Sequence, residues 1–232
     1  AIYFFLPESL TLERRENLAT HQRPPFTLKA LLTVLNRPIV GPLLHVRLFY
    51  GLAFATFQSI FSLYAQAIGL SSRTAGFVLA YVGLLSVITQ VRLIGPLTRR
   101  FRETWLIIFS LWIMGISLLA WAFTSQLWVL LIVILPLSLS GGVLNTVMQS
   151  SISKSVSRDE IGGILGITTS IDALTRVVAP SIGGFLLGYF GAWAPGVFTA
   201  LLMTWTVIFA YRRIVFPARR NRMQIEAEGS HA

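Results

Sequence analysis

Apolar positions along this chain gather into six long blocks separated by short polar joints: Leu44 to Ile68, Ala75 to Ile94, Trp105 to Phe123, Leu127 to Met148, Ile161 to Phe190 and Ala194 to Tyr211. Each reaches the roughly 17 to 25 residues that a helix rising about 1.5 Å per residue needs to cross about 30 Å of hydrocarbon. The pattern predicts an all-α membrane protein with six transmembrane helices. Ahead of them, Ala1 to Leu10 is apolar but too short to span, and reads as the end of a preceding membrane helix (residues 1–10). Residues 11–43 read as a cytoplasmic linker. Within it Leu28, Leu31, Leu32 and Leu35 recur at helical spacing and predict a short interfacial helix that ends before Pro38. A partner-binding helix is the alternative there. Residues 44–211 form the predicted six-helix domain and 212–232 a basic cytoplasmic tail.

Composition fits this reading. With 54% hydrophobic and only 12% charged residues, too much apolar surface would face water in a soluble fold of 232 residues. The net charge of +10 raises nucleic acid as a partner, and the placement of the basic residues argues against it. Arg14, Arg15, Arg23, Lys29, Arg37 and Arg47 precede the first span, Arg92, Arg99, Arg100 and Arg102 crowd the second joint, Lys154 and Arg158 the fourth, and Arg212, Arg213, Arg219, Arg220 and Arg222 follow the last. The opposite side holds only Arg73, and the joints around Ser125 and Gly191 hold none. Basic loops stay cytoplasmic, so both ends are expected inside a plasma (inner) membrane.

Several chemistries lack residues to perform them. Cysteine is absent, and His21, His45 and His231 show no metal-ligand spacing, so no metal or cofactor is expected. No nucleophile elbow, phosphate-binding loop or acid pair beside a histidine occurs, which argues against an enzyme and against ATP-driven transport within this chain.

What remains is the polar residues inside apolar spans, each costly unless paired or set in a wet cavity. In the fifth span Asp172 lies near mid-membrane with Arg176 one turn further. Thr168, Thr169, Asp172, Thr175 and Arg176 share a stripe, and an Asp172–Arg176 pair is expected from the i, i+4 spacing. A guanidinium beside a carboxylate favours its charged form, so proton carriage would need that pair to part. Contact with substrate is the other role open to these two residues. Gly162, Gly166, Ser170 and Ala173 form a small-residue stripe for close helix approach. Ser157 and Glu160 are spaced as a capping box, and Pro180 should bend the helix. The first span sets Gln58, Ser62 and Gln66 beside Phe54, Phe57 and Phe61, a face suited to an amphiphilic organic molecule or, equally, to helix packing. The fourth carries Ser138, Asn145 and Gln149 around Pro136 and Gly141-Gly142, where a bend is expected. Trp105, Trp121, Trp128, Trp193 and Tyr211 read as interface anchors.

Other segments carry a resemblance. Leu6-Pro7-Glu8-Ser9-Leu10, Ile68-Gly69-Leu70-Ser71 with Gly76, Gly83, Gln90 and Gly95, and Arg176-Val177-Val178-Ala179-Pro180 with Gly183-Gly184 together resemble the C-terminal half of a major facilitator superfamily transporter, nearest the drug:proton antiporter branch. Gly95-Pro96-Leu97-Thr98-Arg99-Arg100-Phe101-Arg102 is similar to the family's cytoplasmic loop motif through Gly95, Leu97 and Arg100, but Arg99 stands where the motif has Asp. A basic loop that sets topology is the simpler role for it.

The resemblance implies two three-helix inverted repeats, half of a twelve-helix fold, with an N-terminal six-helix half as partner and a substrate site near the midplane between halves. It implies secondary transport of an amphiphilic small molecule, by proton-coupled efflux. Uptake of a nutrient or metabolite, and a non-transporting remnant or assembly partner, are the alternatives. The candidate substrate-binding residues are Phe54, Gln58, Phe61, Ser62, Asn145, Gln149, Asp172 and Arg176, with Asp172 also the candidate for ion coupling.

Overall fold

The computed structural model describes residues 33–124 and 126–215. The expected helix end at residues 1–10, most of the linker with its interfacial helix, the Ser125 joint and the tail beyond Val215 lie outside the described residues. The chain divides into residues 1–34 and residues 35–232, and the second unit contains all six long helices.

These are α1 (Val40–Ala67), α2 (Ser72–Arg100), α3 (Glu103–Ala122), α4 (Leu127–Lys154), α5 (Ile161–Phe190) and α6 (Ala194–Val215), each long and apolar enough to cross a membrane. α1 begins at Val40, ahead of the apolar block that predicts it, because Pro42 lies in the first turn, where its missing N–H costs no hydrogen bond. Arg47, grouped with the basic residues ahead of the span although it stands three residues into the Leu44 block, lies well inside the helix. Tight turns on one side need glycine: Gly69 after α1 has φ +83° and Gly191 after α5 has φ +94°, a region that residues with a Cβ avoid.

α2 is not uniform. It runs as α-helix over Ser72–Ile88, widens into a π-helical turn at Thr89–Leu93 and resumes as α-helix over Ile94–Arg100. Pro96 explains the widening, since it cannot donate to the Arg92 carbonyl and its ring would press on it. The Gly95–Arg100 motif is thus a helix end instead of a loop, with Arg99 and Arg100 exposed in its last turn.

The packing is two-fold symmetric. α1 lies along α5 and α2 along α4; α6 packs on α1 and α3 on α4; and α3 meets α6 across the centre. Exchanging α1 with α4, α2 with α5 and α3 with α6 maps this set of neighbours onto itself, as two inverted three-helix repeats require. The symmetry extends to coverage, for α2 and α5 are the least buried helices, 17% and 28% of their apolar windows against 44% or more for the others. One face of the bundle is open, and these two helices flank it.

Close approach occurs at glycines other than the expected ones. A Cβ at Gly183 would lie 2.6 Å from Ile60 Cγ2, and one at Gly196 2.6 Å from Ala122 Cβ, so these glycines let α5 meet α1 and α6 meet α3. Gly162 and Gly166 have nothing within 4 Å. Both, like Ala173, are exposed.

Other local expectations are corrected. The capping box at Ser157 does not form: Glu160 is itself the residue before α5 and makes no cap bond. Its Oε1 accepts 3.1 Å hydrogen bonds from both Nη1 and Nη2 of Arg37 instead, and that charge-assisted contact outcompetes a neutral backbone donor. Trp121 is no interface anchor. It is fully buried, edge-on to Phe57 at 5.0 Å and 4.7 Å from Tyr64, whereas Trp105, Trp128, Trp193 and Tyr211 are exposed. The Tyr64 hydroxyl donates to the Trp121 carbonyl at 2.9 Å and also reaches that of Thr124, tying α1 to the end of α3.

Candidate functional site

The polar residues of α1, α2, α4 and α5 converge on a cavity of about 240 Å³ in the open face. α1 contributes Arg47, Tyr50, Gly51, Phe54 and Gln58; α2 adds Ser86 and Gln90; α4 adds Gly141, Gly142 and Asn145; α5 adds Asp172, Thr175 and Arg176. These four helices exchange in pairs under the two-fold, so the cavity lies between the repeats.

Its centre is an ion pair that spacing along the chain did not predict. Arg47 Nε donates to Asp172 Oδ1 at 3.0 Å and Nη2 to Oδ2 at 2.7 Å, a two-pronged contact between α1 and α5. Nη2 also lies 3.4 Å from Asn145 Oδ1, which draws α4 into the network. The Arg47 side chain is 6% exposed and that of Asp172 36%, so the guanidinium is sunk in the wall while the carboxylate edges the cavity. Arg47 Nη1 is buried without a partner among the described residues.

Asp172 thus pairs with Arg47 and not with Arg176. The helical neighbour loses because a planar guanidinium on α1 engages both carboxylate oxygens at once, a geometry that gives specificity as well as energy. Arg176 lines the same cavity, is exposed to it, and makes no hydrogen bond or ion pair among the described residues. The threonines of the stripe are spent locally: Thr168 donates to the Ile164 carbonyl, Thr169 to Leu165 and Thr175 to Asp172, each within 3 Å.

Glycines position the rest. Phe54 rests its ring where a Cβ on Gly141 would come within 3.4 Å, and Thr89, buried in the widened turn of α2, lies 3.0 Å from where Gly142 would carry one. α4 can therefore be approached from both sides, and the π-helical turn starting at Thr89 includes cavity-lining Gln90.

Of the residues singled out from sequence, Phe54, Gln58, Asn145, Asp172 and Arg176 are brought together. Phe61 is not: it is fully buried between Phe57 and Tyr64. Ser62 is half-buried and does not line the cavity, and Gln149 borders a separate depression on α4 with Thr146 and Ser153. Arg47 and Tyr50 are the residues that sequence reading missed. A signal existed, since extending the Gln58 stripe back through Phe54 and Gly51 at helical spacing arrives at Arg47.

Residues 43–230 match the sequence profile of the Major Facilitator Superfamily. The chain is 28% identical over 200 residues to human Solute carrier family 67 member A1, covering 86% of this chain and 47% of that protein. It is 31% identical over 167 residues to Solute carrier family 22 member 18 of Rattus norvegicus, 72% and 40% of the two chains. To the class H tetracycline resistance protein of Pasteurella multocida it is 30% identical over 146 residues, 61% and 36%. It thus spans less than half the length of each. Among solved structures, the human organic anion transporter MFSD10 (TETRAN) superposes with a TM-score of 0.61 at 22% identity, covering 82% of this chain and 43% of that one, and so shares the fold.

Proposed function

The chain belongs to the major facilitator superfamily, and from that premise we propose that it is the C-terminal half of a carrier that moves an amphiphilic small organic molecule by alternating access, outward and in exchange for protons. It is a membrane-embedded transporter-family protein, not an enzyme. The observation that carries the reading is the cavity: an aromatic wall at Phe54 ringed by Gln58, Gln90, Asn145 and the Arg47–Asp172 pair, set on the open face of an otherwise apolar bundle. Pockets of this kind, apolar with a few convergent polar groups, suit organic solutes. In the proposed carrier a second six-helix half covers that face, and the glycines of α5 allow it to approach closely. Efflux is supported by the similarity to tetracycline resistance proteins. Asp172 is the proposed coupling residue, able to take a proton when its bond to Arg47 opens.

The proposed topology places both ends in the cytoplasm of a plasma-membrane protein. With no cysteine in the sequence, Ser125→Cys gives one thiol, which an impermeant reagent should reach from outside only.

Function is tested with the chain expressed alongside its six-helix complement in everted vesicles. A fluorescent amphiphile should accumulate inside them, and collapsing the proton gradient should abolish the signal. Accumulation in intact cells instead would indicate uptake. Movement in neither preparation, by the pair or by a homodimer, would favour an assembly partner.

A further inference from the structure

We propose that the substrate is an organic anion and that Arg176 is the residue that binds its charge; this rests on the transport reading above. Arg176 lies midway along the 30 residues of α5, about 22 Å from either end at 1.5 Å per residue, which is the middle of a bilayer. A cation at that depth costs about 2.5 to 3.5 kcal/mol even in an isolated inserted helix, so an arginine kept there must meet an anion or water. The cavity's own acid stands one turn away and is already engaged, both oxygens of Asp172 being held by Arg47. The charges lining the cavity are then one neutral pair plus a guanidinium without a partner among the described residues, a single positive charge exposed to the cavity.

The surroundings define the ligand further. Phe54 offers an aromatic surface beside that charge, while Gln58, Gln90 and Asn145 can donate to a second anionic oxygen or a polar substituent. A planar guanidinium matches a carboxylate or sulfonate through two parallel hydrogen bonds. The class implied is an aromatic or otherwise apolar body bearing one such group. Arg47 is a positioning residue here, because by occupying Asp172 it keeps Arg176 available.

The test uses a matched series of 2-naphthoate, 2-naphthalenesulfonate and neutral 2-naphthamide, with binding followed by tryptophan quenching on the chain purified with its six-helix complement. Wild type should favour the anions over the amide by about ten- to a hundredfold, the range for a hydrogen bond to a charged group. Arg176→Gln should erase that preference by weakening the anions far more than the amide, and Arg176→Lys should restore part of it. Equal wild-type affinity for naphthoate and naphthamide overturns the proposal without needing any variant to fold. So does a loss of folded protein and of every ligand alike in Arg176→Gln, the signature of a guanidinium paired with a carboxylate of another helix. Binding of the amide alone overturns the anion assignment and leaves the transport reading standing. Failure of folded wild type to bind or move any of the three overturns both.

Discussion

Phe54 and Phe61 lie two turns apart on nearly the same face of α1, yet one lines the cavity and the other is sealed. The difference is what surrounds each level. Around Phe54 the facing helix is glycine, and Gly51, Gly141 and Gly142 leave room for a solute. One level on, Thr56 and Ile60 press against Gly183 of α5, and Phe57, Phe61, Tyr64 and Trp121 close into an aromatic cluster with ring centroids 4.7 to 6.4 Å apart. The same residue type therefore borders a cavity in one layer and packs the core in the next. The lesson is that helical periodicity assigns a face but not what stands opposite it.

The sealed layer should break hardest. Trp121→Ala removes the centre of the cluster, and large-to-small changes at buried aromatic positions cost about 3 to 5 kcal/mol. Thermal unfolding in detergent should drop sharply and transport of all substrates should fall in proportion. A change in substrate preference at unchanged stability would show that the cluster is part of the binding site.

The charged layer comes next. Asp172→Asn strands the Arg47 guanidinium in the wall, and breaking a fully buried pair costs about 3 to 5 kcal/mol. Because the Asp172 side chain is 36% exposed, the expected loss is smaller, about 2 kcal/mol. The double variant Arg47→Gln, Asp172→Asn removes the stranded charge and should recover much of that stability while transport stays low. Stability measured across the four-member cycle checks this; additive losses would mean that the pair contributes nothing of its own.

Much of this was legible in the chain. Six apolar blocks and alternating basic joints predict the six helices, and their ends moved by a few residues: where Pro42 proved a good first-turn residue, where the Ser71 cap starts α2 at Ser72, where α3 starts at Glu103, and where the final basic turns remained helical. The candidate site was read in part. Asp172 and Arg176 stand out as charges in an apolar run, but the partner of Asp172 is 125 residues away and is chosen by how α1 lies on α5. Local spacing favours Arg176, and the stripe that leads from Gln58 to Arg47 places Arg47 on the cavity face of α1 without saying that it meets Asp172. Glu160 shows the same thing on a smaller scale, drawn from a local cap to Arg37. Trp121 was misread because proximity to a helix end marks depth, whereas its neighbours on α1 decide that it points inward.

Within the cavity layer, Phe54→Ala should leave stability nearly intact, since the ring borders open space. It should weaken aromatic substrates by about tenfold, in the range of a lost aromatic contact of about 0.5 to 1.5 kcal/mol. Competition between an aromatic and an aliphatic substrate of equal charge measures this. If both weaken equally, Phe54 supports the wall without touching the solute.

The smallest effect belongs to the surface on which Phe54 rests. In Gly141→Ala the new Cβ would lie 3.4 Å from Phe54 Cε2 and 3.5 Å from Cζ, at the border of ordinary contact, so the ring shifts by tenths of an ångström without being expelled. Gly141 is helical and its φ is not positive, so the backbone accepts alanine, and the gain in helix propensity, up to about 1 kcal/mol, offsets the tighter contact. Folded stability should stay level while affinity for aromatic substrates changes by about two- to threefold, in the same direction as Phe54→Ala but less. The pair of variants is diagnostic because the mechanism is shared: once Phe54 is alanine, no ring remains for the added methyl group to displace. Gly141→Ala should then have no further effect in the Phe54→Ala background. An effect that persists there would place the glycine itself, and not the ring above it, against the transported molecule.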